Sequence, residues 1–154
     1  MISAGLLMFS QHRGNTEVFL VHPGGPFYKN KDEGVWSIPK GLQEGEEALL
    51  ETAKREFREE TGIVPQGPYT ELGSVKMKSG KIIYVWAFEG KEETPELISN
   101  RFTMEWPPKS GKQCDFPEVD RAAYVSPEKA AMLIHPSQKP FIERLLEYIE
   151  DLKK

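Results

Sequence analysis

The chain is predicted to fold as one α/β domain in which helices cover a mixed sheet, and three features of the sequence support this. Strand-like segments recur along its 154 residues and are separated by turn signals. Two segments, one central and one near the C-terminal end, instead repeat apolar residues at helical spacing. No repeat or low-complexity segment interrupts this order. We therefore expect a single layered domain over residues 1–154.

The N-terminal third is predicted to form a β-hairpin followed by a loop. Residues 4–9 and 17–21 are apolar, strand-like segments, and the polar turn at residues 11–15 separates them. Residues 23–34 are rich in Gly, Pro, Lys and Asp, which is typical of a loop. Loops of this kind often carry binding residues.

A helix is predicted next, and it ends at Gly62, a residue type that commonly stops helices. Its apolar stripe consists of Leu50, Ala53 and Phe57, which recur at helical spacing and are expected in the core.

Three carboxylates share another face of this helix. Glu56, Glu59 and Glu60 fall within about a quarter of its circumference, because residues three and four apart are neighbours on a helix. Such crowding is repulsive unless a cation is present, and oxygen ligands suit Mg²⁺ or Mn²⁺. The acids are therefore candidate metal ligands, although Glu-x-x-Glu-Glu on its own is more often a solvated acidic face.

The second half of the chain is predicted to complete the sheet. Residues 71–77 and 81–88 flank the turn at 78–80 as a second hairpin, and the later strand has apolar residues on both faces. Residues 101–106 and 121–125 are predicted as further strands.

Two helices are predicted after these strands. The first begins with Ser126 as N-cap and Pro127 at its first position. The second, C-terminal helix has an apolar stripe made of Phe141, Leu145, Tyr148, Ile149 and Leu152.

Composition narrows the class of protein. The net charge is −4 and the pI is near 5.5, so no general electrostatic affinity for nucleic acid is expected. The single Cys114 excludes an intrachain disulfide. Residues 1–9 lack the features of a signal peptide, and no run approaches the ~20 apolar residues that span a bilayer. We expect a cytoplasmic protein without a membrane partner.

A fixed pattern surrounds the three acids. Gly41, five residues, Glu47, seven residues and then 55–63, Arg-Glu-Phe-Arg-Glu-Glu-Thr-Gly-Ile, match every fixed position of the Nudix box. That box is Gly-x5-Glu-x7-Arg-Glu-U-x-Glu-Glu-x-Gly-U, with U apolar. The chain therefore resembles the Nudix hydrolases, which cleave a nucleoside diphosphate linked to another moiety. The resemblance implies an α/β/α sandwich with a mixed sheet between helices.

The resemblance also implies roles for residues of the box. The implied ligands of Mg²⁺, for which Mn²⁺ can substitute, are the Gly41 carbonyl, Glu56, Glu59 and Glu60. Arg55 and Glu47 are implied to hold the loop before the helix and to orient a metal-binding Glu. One carboxylate deprotonates the attacking water, and its identity stays open because it differs among Nudix branches.

Residues outside the box add weaker matches. Trp36-Ser37-Ile38-Pro39-Lys40-Gly41 looks like the lead into the box of diadenosine polyphosphate hydrolases and of related 5′-cap and 5′-triphosphate RNA hydrolases. Lys40 would reach a phosphate as a flexible point charge, the alternative being a solvated loop Lys. Trp36 is expected in the core rather than as a base-stacking platform.

Two further site candidates come from later segments. Residues 116–125 resemble the late segment in which many Nudix enzymes place a further Glu, so Glu118 is either a fourth metal ligand or general base, or an acid at a loop edge. Tyr84 is either a substrate contact, as in diadenosine polyphosphate hydrolases, which stack adenine on aromatics of these strands, or a core Tyr.

The resemblance leads us to expect Mg²⁺-dependent hydrolysis of a dinucleoside polyphosphate such as diadenosine tetraphosphate. The alternatives are a pyrophosphohydrolase acting on damaged nucleoside triphosphates or nucleotide sugars, and a non-catalytic nucleotide-sensing module. The complete set of Glu56, Glu59 and Glu60 argues against the last. The expected partner is a small nucleotide, without a stable nucleic-acid complex.

Overall fold

Six strands form one mixed sheet in the computed structural model, which describes residues 1–12, 14–91 and 97–154. The strands of the described chain are β1 (Ile2–His12), β2 (Asn15–Pro23), β3 (Lys40–Leu42), β4 (Thr70–Lys76), β5 (Ile82–Glu89), β6 (Arg101–Glu105), β7 (Gln113–Pro117) and β8 (Val119–Val125). The helices are α1 (Leu49–Thr61), α2 (Pro127–Leu133) and α3 (Lys139–Leu152), with short 3-10 turns at Pro26–Tyr28 and Pro136–Gln138. No helix among these residues is long and apolar enough to cross a membrane.

The sheet is built around β1. Its order is β4-β5-β1-β2-β8, with β1 parallel to β5 and antiparallel to β2. The short β3 pairs with the N-terminal part of β1, where Ala4 lies opposite Gly41. The apolar run that predicts β1 is explained by this central place, because a strand covered on both faces needs apolar residues at every position.

Helices cover both faces of the sheet. On one face, Phe57 of α1 lies edge-on to Phe88 at a ring-centroid distance of 5.3 Å and 6.3 Å from Phe19. On the other face, Phe141 and Leu145 of α3 belong to the second apolar cluster of the described residues. The predicted α/β/α sandwich with a mixed sheet is confirmed.

The end of α1 is completed by a distant segment. Gly62 has a φ of 79°, and its N–H donates to the Arg58 carbonyl at 2.8 Å, as the sequence predicts for a helix-ending Gly. Ile98 N then donates to Thr61 O at 2.9 Å and Asn100 N to Glu59 O at 2.8 Å. The last carbonyls of the acidic helix are therefore satisfied by residues just before β6.

The structure differs from the sequence-based expectation at three places. Residues 101–105 do form a strand, but β6 pairs with β7 in a separate two-stranded ribbon rather than in the sheet. Neither β3 nor β7 is predicted, because one has three residues and the other is mostly polar and ends in Pro. In the turn predicted at 11–15, Gln11 and His12 still belong to β1, and Arg13 lies outside the described residues.

Candidate active site

The acids of α1 lie over the part of β1 where β3 pairs. A Cβ at Gly41 would collide with the Glu56 carboxylate, so any side chain at this position would displace that carboxylate from its place beside β3. Glu60 hydrogen-bonds to the backbone of Lys40, whose ammonium group also acts on it electrostatically. The helix and β3 thus bring the acids against Lys40 and Gly41.

Glu118 joins this group through the backbone. It lies on the surface between β7 and β8, where its N–H donates to Asn100 O at 2.8 Å and its carbonyl accepts from Gly24 N at 2.8 Å. Asn100 in turn donates to the carbonyl of Glu59. Two backbone hydrogen bonds therefore link Glu118 to the acidic helix, and the sequence-predicted fourth acid lies beside the other three.

Burial, and then the charge of neighbouring acids, raises the pKa of Glu56, Glu60 and Glu118. Burial first and the charge of Glu56 second raise the pKa of Glu60 to about 8, against the opposing effect of Lys40. Burial is also the main cause that raises the pKa of Glu56, and Glu59 and Glu118 add to it. Partial desolvation and then the Glu59 charge raise the pKa of Glu118. The carboxylates form a negative cluster that Lys40 and Arg55 only partly neutralise.

Arg55 links the cluster to the loop before α1. Its Nη2 donates to Glu47 Oε1 at 2.7 Å and to Leu42 O at 3.1 Å, and its Nη1 to Glu56 Oε1 at 2.9 Å and Glu59 Oε2 at 3.2 Å. The hydrogen bond from Arg55 is the main cause that lowers the pKa of Glu47 to about 2. Through these contacts Arg55 can hold the loop before α1 and orient a Glu of the helix.

Lys40 and Tyr84, the candidate substrate contacts, also lie at this edge. Lys40 is half-buried on β3 and adjoins Gly41. Ala4 of β1 pairs with Gly41 on one side and with Tyr84 on the other, so Tyr84 lies about 10 Å from Gly41, two strand spacings away. Tyr84 shares a sheet face with Phe88, which packs against α1.

Trp36 lies apart from these residues. Its side chain is 6% exposed in the apolar core, and its Nε1 donates to Asp32 Oδ1 at 3.1 Å. The prediction that Trp36 is a core residue is confirmed.

Sequence reasoning missed His22. This fully buried ring places Nε2 2.6 Å from the carbonyl O of Lys31 and Nδ1 2.7 Å from Asp120 Oδ1. It therefore ties the loop after β2 to β8, two residues beyond Glu118. The available signal was a polar residue directly after the apolar residues Phe19–Val21 of β2. Its hydrogen-bond partners, however, are distant in sequence.

Residues 1–145 match the family model of the NUDIX domain. The chain belongs to the Nudix family. Its fold is also similar to solved Nudix structures, whereas no curated protein matches the sequence. As a Nudix hydrolase, it is a pyrophosphohydrolase that acts on nucleoside diphosphate derivatives. The Nudix family generally uses a divalent metal such as Mg²⁺.

Three solved structures illustrate the similarity of this Nudix domain. The NUDIX domain of Shewanella oneidensis NrtR, complexed with ADP ribose, is 18% identical with a TM-score of 0.65, covering 97% of this chain and 88% of that one. A Caenorhabditis elegans Ap4A hydrolase binary complex is 14% identical with a TM-score of 0.67 over 97% and 98%. The MutT protein of Methanosarcina mazei Go1 is 23% identical with a TM-score of 0.61 over 100% and 96%. At these identities the likeness establishes the fold.

The donor set suits the hard cation that Nudix enzymes use. All its candidate ligands are oxygen atoms, and the absence of a Cβ at Gly41 leaves the Glu56 carboxylate against the β3 backbone. Among residues 1–12, 14–91 and 97–154, no three His, Cys, Asp or Glu side chains already form a metal-binding group. Arg55 instead contacts Glu56 and Glu59. The residues fit a divalent cation in the chemistry of their donor atoms.

Proposed function

We propose that this Nudix hydrolase cleaves a dinucleoside polyphosphate such as diadenosine tetraphosphate. The observation that carries the proposal is the juxtaposition of Lys40 with four carboxylates at one edge of the sheet. A cationic side chain beside a metal-binding acid cluster suits a substrate with several phosphates in a row. The Trp-x-x-Pro-Lys-Gly lead supports this choice among nucleotides.

The proposed ligands of Mg²⁺, or of Mn²⁺ in its place, are the Gly41 carbonyl, Glu56, Glu59, Glu60 and Glu118. A bound divalent cation supplies charge neutralisation and orientation for attack on phosphorus. Arg55 holds Glu56, Glu59 and the loop in place, and Lys40 binds a phosphate oxygen. The net reaction forms one P–O bond to water and breaks one bridging P–O bond, which releases two nucleotides.

One carboxylate of the cluster accepts the proton of the attacking water. Glu118 and Glu59 are the candidates, because Glu118 is on the surface and the Glu59 side chain is 36% exposed, more than the 15% of Glu56. Tyr84, on β5, is the proposed contact for a nucleobase. The identity of the base affects turnover, whereas the role of Tyr84 affects substrate binding, so the two assignments can be tested separately.

A nucleoside triphosphate or nucleotide sugar is the second candidate substrate. The NUDIX domain of Shewanella oneidensis NrtR, whose TM-score of 0.65 is close to the 0.67 of the Ap4A hydrolase, is complexed with ADP ribose. The same acid cluster serves either substrate, so the nucleoside pocket distinguishes them.

The deciding experiment measures hydrolysis of diadenosine tetraphosphate, ATP, 8-oxo-dGTP, ADP-ribose and 5′-triphosphate RNA with Mg²⁺. We expect the highest kcat/KM for diadenosine tetraphosphate, loss of activity in chelator and recovery with Mg²⁺ or Mn²⁺. Glu59→Gln should lower turnover by orders of magnitude, whereas the matched Glu143→Gln, an exposed acid on α3, should not. Preference for a mononucleotide or ADP-ribose would support the second candidate, and activity in chelator would exclude the metal site.

A further inference from the structure

An aromatic surface flanks the acid cluster without belonging to it. We define the aromatic platform as Phe27 and Tyr28, in the 3-10 turn after β2, together with Trp106 at the end of β6. Phe27 is 58% exposed and Tyr28 39%, and the Phe27 ring lies edge-on to Trp106 at 5.5 Å. Large aromatic side chains left this accessible in a cluster indicate a binding surface.

The turn that carries the platform is fixed to the body of the protein. Tyr28 O accepts from Lys31 N at 3.0 Å, and the Lys31 carbonyl lies 2.6 Å from Nε2 of the buried His22. Asp32 accepts from the core Trp36 and from Arg121 at 3.3 Å. The backbone that carries Phe27 and Tyr28 is therefore fixed before a ligand binds, which reduces the entropy lost when a ligand stacks on these rings.

The β6–β7 ribbon connects the platform to the acid cluster. The root of the β6–β7 ribbon is bound to Glu59 and Glu118 through Asn100, and a Cβ at Gly24 would collide with the Pro117 carbonyl. Trp106 follows the root at Arg101 by five residues, or about 16 Å at the usual rise of a strand. A ligand that reaches from the root of the ribbon to Trp106 must span about that length.

The charge around the platform suits an anionic ligand. Lys31 Nζ lies 5.8 Å from the Tyr28 ring centroid, and the exposed Lys29, Lys109 and Lys112 belong to the same turn and to the ribbon tip. Asp32, Glu33 and Glu105 belong to the same two segments, and Glu105 Oε1 accepts from Lys109 N at 2.6 Å, so four lysines outnumber three acids there. Aromatic rings beside cationic side chains are the combination that binds a nucleotide by stacking and charge.

We infer that the aromatic platform stacks the distal nucleobase of a dinucleoside polyphosphate whose phosphate chain lies in the acid cluster. The inference rests on the dinucleotide substrate proposed above and adds where its far nucleoside binds. This stacking contributes binding energy far from the attacked phosphorus. It therefore favours the binding of substrates with two nucleosides over substrates with one.

The test compares two substrates that differ only in the distal nucleoside, diadenosine tetraphosphate and adenosine tetraphosphate. Phe27→Ala and Trp106→Ala should each raise KM for the dinucleotide by about 5- to 150-fold, the range expected for loss of one base stack, and change KM for adenosine tetraphosphate less than twofold. Trp106→Phe, which keeps a ring, should lie between wild type and Trp106→Ala. Leu152→Ala, an equally exposed apolar residue at the end of α3, serves as the control.

A binding measurement separates this inference from the proposed function. A non-hydrolysable methylene-bridged dinucleotide should quench the fluorescence that Trp106→Phe removes, whether or not diadenosine tetraphosphate is the substrate turned over. Two results would overturn the inference and leave the proposed function intact, provided that the dinucleotide is still hydrolysed. One is that Phe27→Ala raises KM equally for both substrates, and the other is that the dinucleotide analogue causes no quenching. Concentration-dependent dimers in sedimentation that Phe27→Ala abolishes also overturn it, because a second copy would then cover the platform.

Discussion

Replacement of Glu60 by Gln should stabilise the metal-free protein at alkaline pH while it removes a metal ligand. The pKa of Glu60 is raised from 4.5 to about 8, mainly by burial. A folded-state pKa above the unfolded value means that the contribution to stability is full below about pH 4.5 and is lost as pH rises through 8. Because the fold disfavours the ionised side chain, the free energy of unfolding falls by about 1.36 kcal/mol per pH unit between these two pKa values. The loss reaches roughly 4 kcal/mol at pH 8, and Gln avoids it.

Urea unfolding in chelator at pH 5 and pH 8 provides the assay. From pH 5 to pH 8, the free energy of unfolding should fall more in wild type and in the matched Glu143→Gln variant than in Glu60→Gln. The extra fall should be roughly 2–4 kcal/mol. Mg²⁺ should restore most of the loss in wild type, since it neutralises the cluster, and little in Glu60→Gln. Equal losses in all three proteins would refute the argument that the fold disfavours the ionised form of Glu60.

Three other changes test neighbouring parts of the site and core. Glu118→Gln should lower kcat by ~10²–10⁴-fold with an unchanged melting temperature if it is the base, or raise the Mg²⁺ concentration needed if it is a ligand; wild-type turnover at limiting Mg²⁺ would redirect attention to Glu105 or Glu89. Gly41→Ala should abolish turnover, because its Cβ collides with the Glu56 carboxylate, yet circular dichroism should show a folded protein. Phe57→Ala should cost about 3–5 kcal/mol in urea unfolding because its ring is fully buried, and Phe57→Leu should cost clearly less.

Residues whose neighbours lie nearby in sequence were predictable. Glu56, Glu59 and Glu60 share a helix, so their spacing alone places them on one face, and Gly62 and Ser126 act at helix ends through bonds within four residues. The apolar run of β1 likewise predicts a strand, although only the structure shows that it is the central one.

Features that depend on distant partners were not predictable in this way. The position of Glu118 beside α1 depends on backbone hydrogen bonds through Asn100 and Gly24, and it was suggested only by resemblance. His22 bonds to Asp120, 98 residues away, and no local pattern indicates that contact. The β6–β7 ribbon leaves the sheet because its pairing is satisfied locally, which alternation along one strand does not reveal.

The central position of β1 also affects how the domain assembles. Its partner β2 follows directly in the chain, but its other neighbour β5 begins only at Ile82, far along the sequence. Until that parallel pairing forms, one edge of a strand rich in Leu, Met and Phe remains open, and open apolar edges pair readily with other chains. We therefore expect refolding to be slow for a domain of this size and its yield to fall as protein concentration rises, with aggregation competing at the edge that β5 finally covers.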